Sequence, residues 1–79
     1  MKVKTEAKNI IEKNLDIVAT VAYKYENEIY SYNDVASLGC IGLIKAANTI
    51  DQRGDVGICT YITQMIEEEI CKFFESIKP

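Results

Sequence analysis

Apolar residues recur along this chain at intervals of three and four, the spacing that lines one face of an α-helix. Ile10, Ile11, Leu15, Val18, Val21, Ala22 and Tyr25 follow that rule and predict one helix from about Thr5, its N-cap, to Tyr25. The polar stretch from Glu26 to Asn33 breaks the pattern and reads as a connection. A second helix is predicted to begin near Ser31 or Asn33. Ser31 and Asp34 are three residues apart, as in a capping box, and an acid in the first turn suits the helix dipole. Val35, Leu38, Ile41, Ile44 and Ala47 or Asn48 follow as its apolar face. Gly39 and Gly42 sit inside this helix, where each costs about 1 kcal/mol relative to alanine. A neighbouring helix is therefore expected to come close where no side chain fits. Asp51 to Gly57, with two glycines and three charges, is the clear loop. A third helix is predicted from about Thr60, its N-cap, to Ser76. Its stripe is Ile62, Ile66, Ile70, Phe73 and Ile77, widened by Met65, Cys71 and Phe74. With no strand pattern or internal repeat, residues 1–79 are expected to form a single all-α domain, a compact bundle of three main helices.

Charge narrows the function classes. Nine Lys and Arg against twelve Asp and Glu give a formal charge of −3. A domain that holds duplex DNA chiefly through phosphates carries a basic stripe, which this chain lacks. The charged start Met1-Lys2-Val3-Lys4-Thr5-Glu6 is unlike a signal peptide, and every apolar stretch is too short for a membrane span. Cys40, Cys59 and Cys71 are odd in number, lack a Cys-x-x-Cys pair and have no His beside them. They are expected to be small buried thiols in a cytoplasmic protein, with neither a disulfide framework nor a zinc site.

Catalysis is difficult to build from these residues. There is no His for acid–base work and no glycine-rich phosphate loop, so neither an enzyme nor a cofactor or metal requirement is expected. Glu67, Glu68 and Glu69 point about 100° apart on a helix and cannot converge on one ion. They are read as a solvated face, with Lys72 pairing four residues back to Glu68. Tyr23, Tyr25, Tyr30, Tyr32 and Tyr61 offer rings for base stacking, although packing at the edge of the core is the first expectation for Tyr23 to Tyr32.

The segment Asp34-Val35-Ala36-Ser37-Leu38-Gly39-Cys40-Ile41-Gly42-Leu43-Ile44-Lys45-Ala46 resembles the most recognisable stretch of bacterial sigma factors. There the pattern is Asp-Leu, a short variable stretch, then Gly-x-Ile-Gly-Leu-Ile/Met-Lys-Ala. The Thr-Tyr of the same family falls here at Thr60-Tyr61, nine residues after Asp51. Ile66-Glu67-Glu68-Glu69-Ile70 is similar to the Ile-Glu-Asn-Glu-Ile of sporulation-type members. Asn14-Leu15-Asp16-Ile17-Val18 with Ala22-Tyr23-Lys24-Tyr25 resembles the first helix of region 2. The likeness runs from about residue 10 to 75.

The resemblance implies a domain that docks on core RNA polymerase, on the clamp helices of the β′ subunit, which carry basic residues. The matching contacts are Asp34, Ser37, Leu38, Cys40, Ile44 and Lys45. Asp34, Ser37, Lys45 and Asn48 lie away from the expected apolar stripe. Leu38 replaces a commonly polar residue and exposes apolar surface unless a partner covers it. The resemblance also implies promoter-facing positions at Thr60, Tyr61, Gln64, Glu68 and Lys72. Tyr61 is kept, whereas other positions that are often aromatic are Val56, Ile58, Gln64 and Met65 here. Glu68 opposes phosphate. Recognition and melting of the −10 element by this chain alone are accordingly expected to be weak or absent.

The sequence begins at Met1, which suits a native amino terminus, and stops before the promoter-reading domains that follow in a full sigma factor. It is thus a stand-alone remnant, one half of a split factor completed by a second polypeptide, or a shortened piece. Two further readings stay open. One is a decoy that occupies the sigma site or captures an anti-sigma factor; the other is a plain helical interaction module.

Overall fold

A computed structural model describes residues 5–77 of the chain. The described residues are all-α. Helix α1 (Thr5–Lys13) is followed by α2 (Leu15–Tyr25), α3 (Tyr32–Asn48), a 3-10 turn (Ile50–Gln52) and α4 (Ile58–Ser76). Thr5, expected as the cap, is the first residue of α1 itself.

The single first helix of the sequence reading is in fact two. Asn14 interrupts it with φ −120° and ψ 17°. Its backbone N–H reaches Ile11 O at 3.2 Å, while its side-chain amide takes Ile10 O at 2.7 Å. The side chain thus satisfies a carbonyl that a continuous helix would bond through its backbone, which is how Asn competes with regular helix. Beyond the break, Val18, Val21 and Ala22 are buried, but Leu15 is 49% exposed.

Helix α3 starts as predicted. Ser31 Oγ accepts from Asp34 N at 3.3 Å and Asp34 Oδ2 accepts from Ser31 N at 3.2 Å, a reciprocal capping box. Its core face differs from the expected one. Val35, Gly39, Gly42, Leu43, Ala46 and Ala47 are buried, while Leu38 and Ile44 are only partly covered and Ile41 is 45% exposed. The reason is the close approach of α4. A Cβ added at Gly42 would stand 2.7 Å from both Ile66 Cα and the Met65 carbonyl oxygen. Small residues therefore make the closest contact, Val35 and Leu43 fill the core beside it, and Ile41 is left outside.

Helix α4 begins at Ile58 with Gly57 as its cap residue and no side-chain cap, so Thr60 lies inside the helix and is exposed. The Asp51–Gly57 segment is more ordered than an open loop. It opens with the 3-10 turn, Arg53 Nε and Nη1 donate to Val56 O and Ile50 O at 2.9 and 3.1 Å, and Gly54 takes a left-handed φ of 69°. Ile62, Ile66 and Ile70 are fully buried and join Val18, Val21, Ala22, Val35, Leu43 and Ala46 in one core. Each such isoleucine contributes about 1.5–3 kcal/mol by leaving water. Ile77, expected on the same stripe, is 46% exposed just past the helix end.

The acidic run is also corrected. Only Glu68 is exposed. Glu67 faces α2, accepting from Lys24 Nζ at 3.3 Å and from the Tyr25 hydroxyl at 3.1 Å. Glu69 faces α3 and pairs with Lys45, and Lys72 lies 3.8 Å from Glu69 rather than pairing with Glu68. Two of the three glutamates therefore tie helices together. The cysteines depart from expectation as well: Cys40 and Cys71 are half-buried and Cys59, in the first turn of α4, is exposed.

Burial, the hydrogen bond to Glu67 and that carboxylate's charge push the Tyr25 hydroxyl up from 10 to about 12. A folded-state value above the unfolded one means that the protonated phenol stabilises the fold in full below about pH 10. That contribution is lost as pH rises through about 12. Tyr25→Phe should therefore make the domain slightly less stable at neutral pH. The difference from wild type in urea titrations should then shrink between about pH 10 and 12. A difference that stays constant across that range would show that the Tyr25–Glu67 bond adds nothing.

Candidate functional site

Two surfaces carry the residues singled out from the sequence. On α3, with steps of about 100° per residue, Asp34, Ser37, Leu38, Ile44 and Lys45 share the arc outside the buried face of the helix, and Cys40 stands at its edge. Asp34, Ser37 and Lys45 are exposed; Leu38, Cys40 and Ile44 are partly buried. Two of the polar members already have intramolecular roles, Asp34 in the capping box and Lys45 in the pair with Glu69. The Ser37 hydroxyl donates to Asn33 O at 3.0 Å.

The amino-terminal half of this arc opens into a groove of about 360 Å³. Asp34, Ser37, Leu38 and Ile41 form its α3 wall, Ile29 and Tyr30 come from the α2–α3 connection, and Phe73 comes from α4. Cys40, Ile44 and Lys45 lie outside it. The connection is held in shape by Asn27, whose Oδ1 accepts from Ile29 N at 2.9 Å and Tyr30 N at 3.0 Å. Asn27 N also donates to Tyr30 O at 3.0 Å. Tyr30 packs edge-on against Phe73 with ring centroids 5.3 Å apart, which fixes the floor of the groove. Sequence reasoning assigned Ile41 to the core and passed over Ile29. The available signal was an isoleucine placed directly after Glu26-Asn27-Glu28, in a segment with no apolar periodicity of its own.

The second surface is on α4. Thr60, Gln64, Glu68 and Lys72 recur every four residues, with Tyr61 beside that row. Thr60, Gln64, Glu68 and Lys72 are exposed and Tyr61 is partly buried. The Tyr61 hydroxyl is 2.7 Å from the Thr49 hydroxyl, so its ring is held at the junction between the end of α3 and the start of α4. Cys59, Thr60, Thr63, Gln64 and Glu67 line a shallow depression of about 330 Å³ here. Of the other tyrosines, Tyr25, Tyr30 and Tyr32 pack against the core edge. Tyr23 is 68% exposed and lies against Tyr32 at a centroid distance of 4.5 Å.

Among the described residues no helix is long and apolar enough to cross a membrane, and no group of His, Cys, Asp or Glu is arranged to hold a metal ion.

Residues 10–78 match the model of the Sigma-70 region 2 family. Similar curated proteins include the RNA polymerase sigma-E factor of Clostridium acetobutylicum, 42% identical over 64 residues that cover 81% of this chain and 27% of that protein. The RNA polymerase sigma-F factor of Bacillus subtilis is 39% identical over 64 residues, covering 81% of this chain and 25% of its own length. The RNA polymerase sigma-28 factor of Bacillus thuringiensis subsp. kurstaki is 36% identical over 74 residues, covering 92% and 31% respectively. The chain thus spans between a quarter and a third of the length of these relatives. The four-helix architecture, the glycine-mediated contact of α3 with α4 and this match over most of the sequence agree: the chain belongs to the sigma-70 region 2 family.

Proposed function

We propose that this domain is a sigma-like transcription protein that docks on core RNA polymerase through the outward arc of α3, against the clamp helices of the β′ subunit. It is a binding protein, with no reaction of its own. The observation that carries this reading is that Leu38 and Ile44 are only partly covered and Ile41 is exposed on one arc of α3. Small residues make the closest contact with α4, and these three apolar side chains lie on the same arc as Asp34 and Ser37. Apolar centres with a polar rim are the anatomy of protein interfaces.

The α4 row of Thr60, Tyr61, Gln64, Glu68 and Lys72 is the proposed promoter-facing side. Its only cation, Lys72, is near Glu69, and Glu68 points outward. Phosphate binding along such a row is weak, so recognition and melting of the −10 element depend on other parts of the transcription complex. A decoy that occupies the sigma site, or captures an anti-sigma factor, would use the same α3 arc. It is separated from the main reading by whether transcription rises or falls.

The test is a titration of the domain against an isolated β′ clamp-helix fragment, with the region 2 domain of a full sigma factor as competitor. Competitive binding at micromolar affinity or better supports the docking role, and absence of binding at high concentration removes it. Single-stranded −10 DNA tests the second surface. Binding there should be weak and should fall further in Tyr61→Ala. Unchanged binding in that variant means that Tyr61 captures no base.

A further inference from the structure

The groove beside the docking arc has a composition of its own. Five of its seven lining residues, Ile29, Tyr30, Leu38, Ile41 and Phe73, are apolar or aromatic, and Asp34 is its only charged one. Ile29 is 79% exposed and Ile41 45%, so the domain by itself leaves both in water. Glu26 and Glu28 are exposed on the connection that delivers Ile29. The apolar floor is therefore bordered by acids. At about 360 Å³ the groove is at the lower end of the sizes that bind ligands, suited to an anchoring side chain and too small for a whole element.

We propose that this groove is a second anchor point of the polymerase contact. It receives a bulky aliphatic or aromatic side chain from a clamp helix whose neighbouring residues are basic. This rests on the docking reading above and extends the contact beyond α3, to Ile29 and Tyr30 on the connection and to Phe73 on α4. The mode is that of an amphipathic helix whose apolar residue fills a pocket in its partner. Charge selects the occupant. A second copy of this chain would bring Asp34, Glu26 and Glu28 against their own kind, in a protein already at −3, whereas a basic helix meets complementary potential at the rim.

Ile29 makes a clean test because its exposure leaves little folding energy to lose. In the clamp-fragment titration, Ile29→Ala and Ile41→Ala should each weaken binding about tenfold, with thermal midpoints close to wild type. Ile29→Lys should weaken it more than Ile29→Glu, because the lysine opposes a basic partner. If wild type binds, Asp34→Arg releases it, and Ile29→Ala and Ile41→Ala bind as wild type does, the groove is no anchor and only the α3 arc makes contact. If Ile29→Glu is the weaker of the charged pair, the basic character of the occupant is wrong. If wild type does not bind the fragment at all, the docking reading fails, and the anchor fails with it. Sedimentation of wild type as a dimer that Ile29→Ala dissolves would assign the groove to self-association and overturn the proposal.

Discussion

Gly42→Ala is expected to destabilise the domain by about 2 kcal/mol, even though alanine is the better helix former by about 1 kcal/mol. The added methyl would meet Ile66 Cα and the Met65 carbonyl oxygen at 2.7 Å. Both are backbone atoms of α4, so no side-chain rotation relieves the clash. The helices must separate instead, along the seam where Leu43, Ile62, Ile66 and Ile70 are completely buried. Overpacking of this kind costs about 1–3 kcal/mol and sometimes more. The seam sets the whole core, so the upper end applies and outweighs the propensity gain. For a domain of this size, whose total stability is at the low end of about 5–15 kcal/mol, that is a large fraction.

Gly39→Ala is the matching control. Its methyl would approach Val18 Cγ1 at 3.0 Å and Ile66 Cγ2 at 3.3 Å. Those are side-chain atoms that can shift, so the change should stay within about 1 kcal/mol of wild type, where propensity and crowding nearly cancel. Urea unfolding followed by helical circular dichroism separates the two. A Gly42→Ala variant more stable than wild type would mean that α4 does not pass this close to Gly42.

What the sequence disclosed, and what it concealed, follows the range of the interactions concerned. Ser31 and Asp34 cap α3 through bonds spanning three residues, and Ile62, Ile66 and Ile70 repeat every four. Both signals are local and both were legible. The break at Asn14 is local too, but a side-chain amide bonding to Ile10 O leaves no trace in apolar periodicity. Glu67 and Glu69 looked like solvated surface because their partners Lys24 and Lys45 are 43 and 24 residues away.

The face of α3 was misread for a different reason. Periodicity ranks positions by apolar bulk, and here the packed face is built from Gly39, Gly42, Ala46 and Ala47 beside Val35 and Leu43. Of the bulkier residues that periodicity places on that face, Ile41 is exposed, Ile44 is partly covered and Leu38 packs at the core edge. The likeness to sigma factors already counted Leu38 and Ile44 as contacts, in tension with the packing argument from the same residues. The structure leaves both residues partly covered, at the border between core and surface. It also adds Ile29, Tyr30 and Phe73, which no single segment of sequence brings together.

Asp34→Arg is expected to weaken binding to the clamp-helix fragment by a hundredfold or more, with helix content unchanged. Asp34 is exposed at the amino-terminal end of the proposed contact and lines the groove. Removing one partner of a charge pair that becomes buried on binding costs about 2–5 kcal/mol, and a positive charge in its place adds repulsion against a basic partner. At 1.4 kcal/mol per factor of ten, the middle of that range exceeds a hundredfold. The cost to folding is smaller. The Ser31 Oγ bond to Asp34 N survives because its donor is the backbone, and only the bond from Ser31 N to Asp34 Oδ2 is lost. With the helix-dipole contribution this amounts to about 1 kcal/mol. Ser31→Ala provides the necessary comparison, since it breaks the other half of the cap without changing any charge. Strong binding by Ser31→Ala and weak binding by Asp34→Arg would assign the loss to the contact. Equal losses would assign it to the cap, and full binding by Asp34→Arg would move the docking surface off α3 altogether.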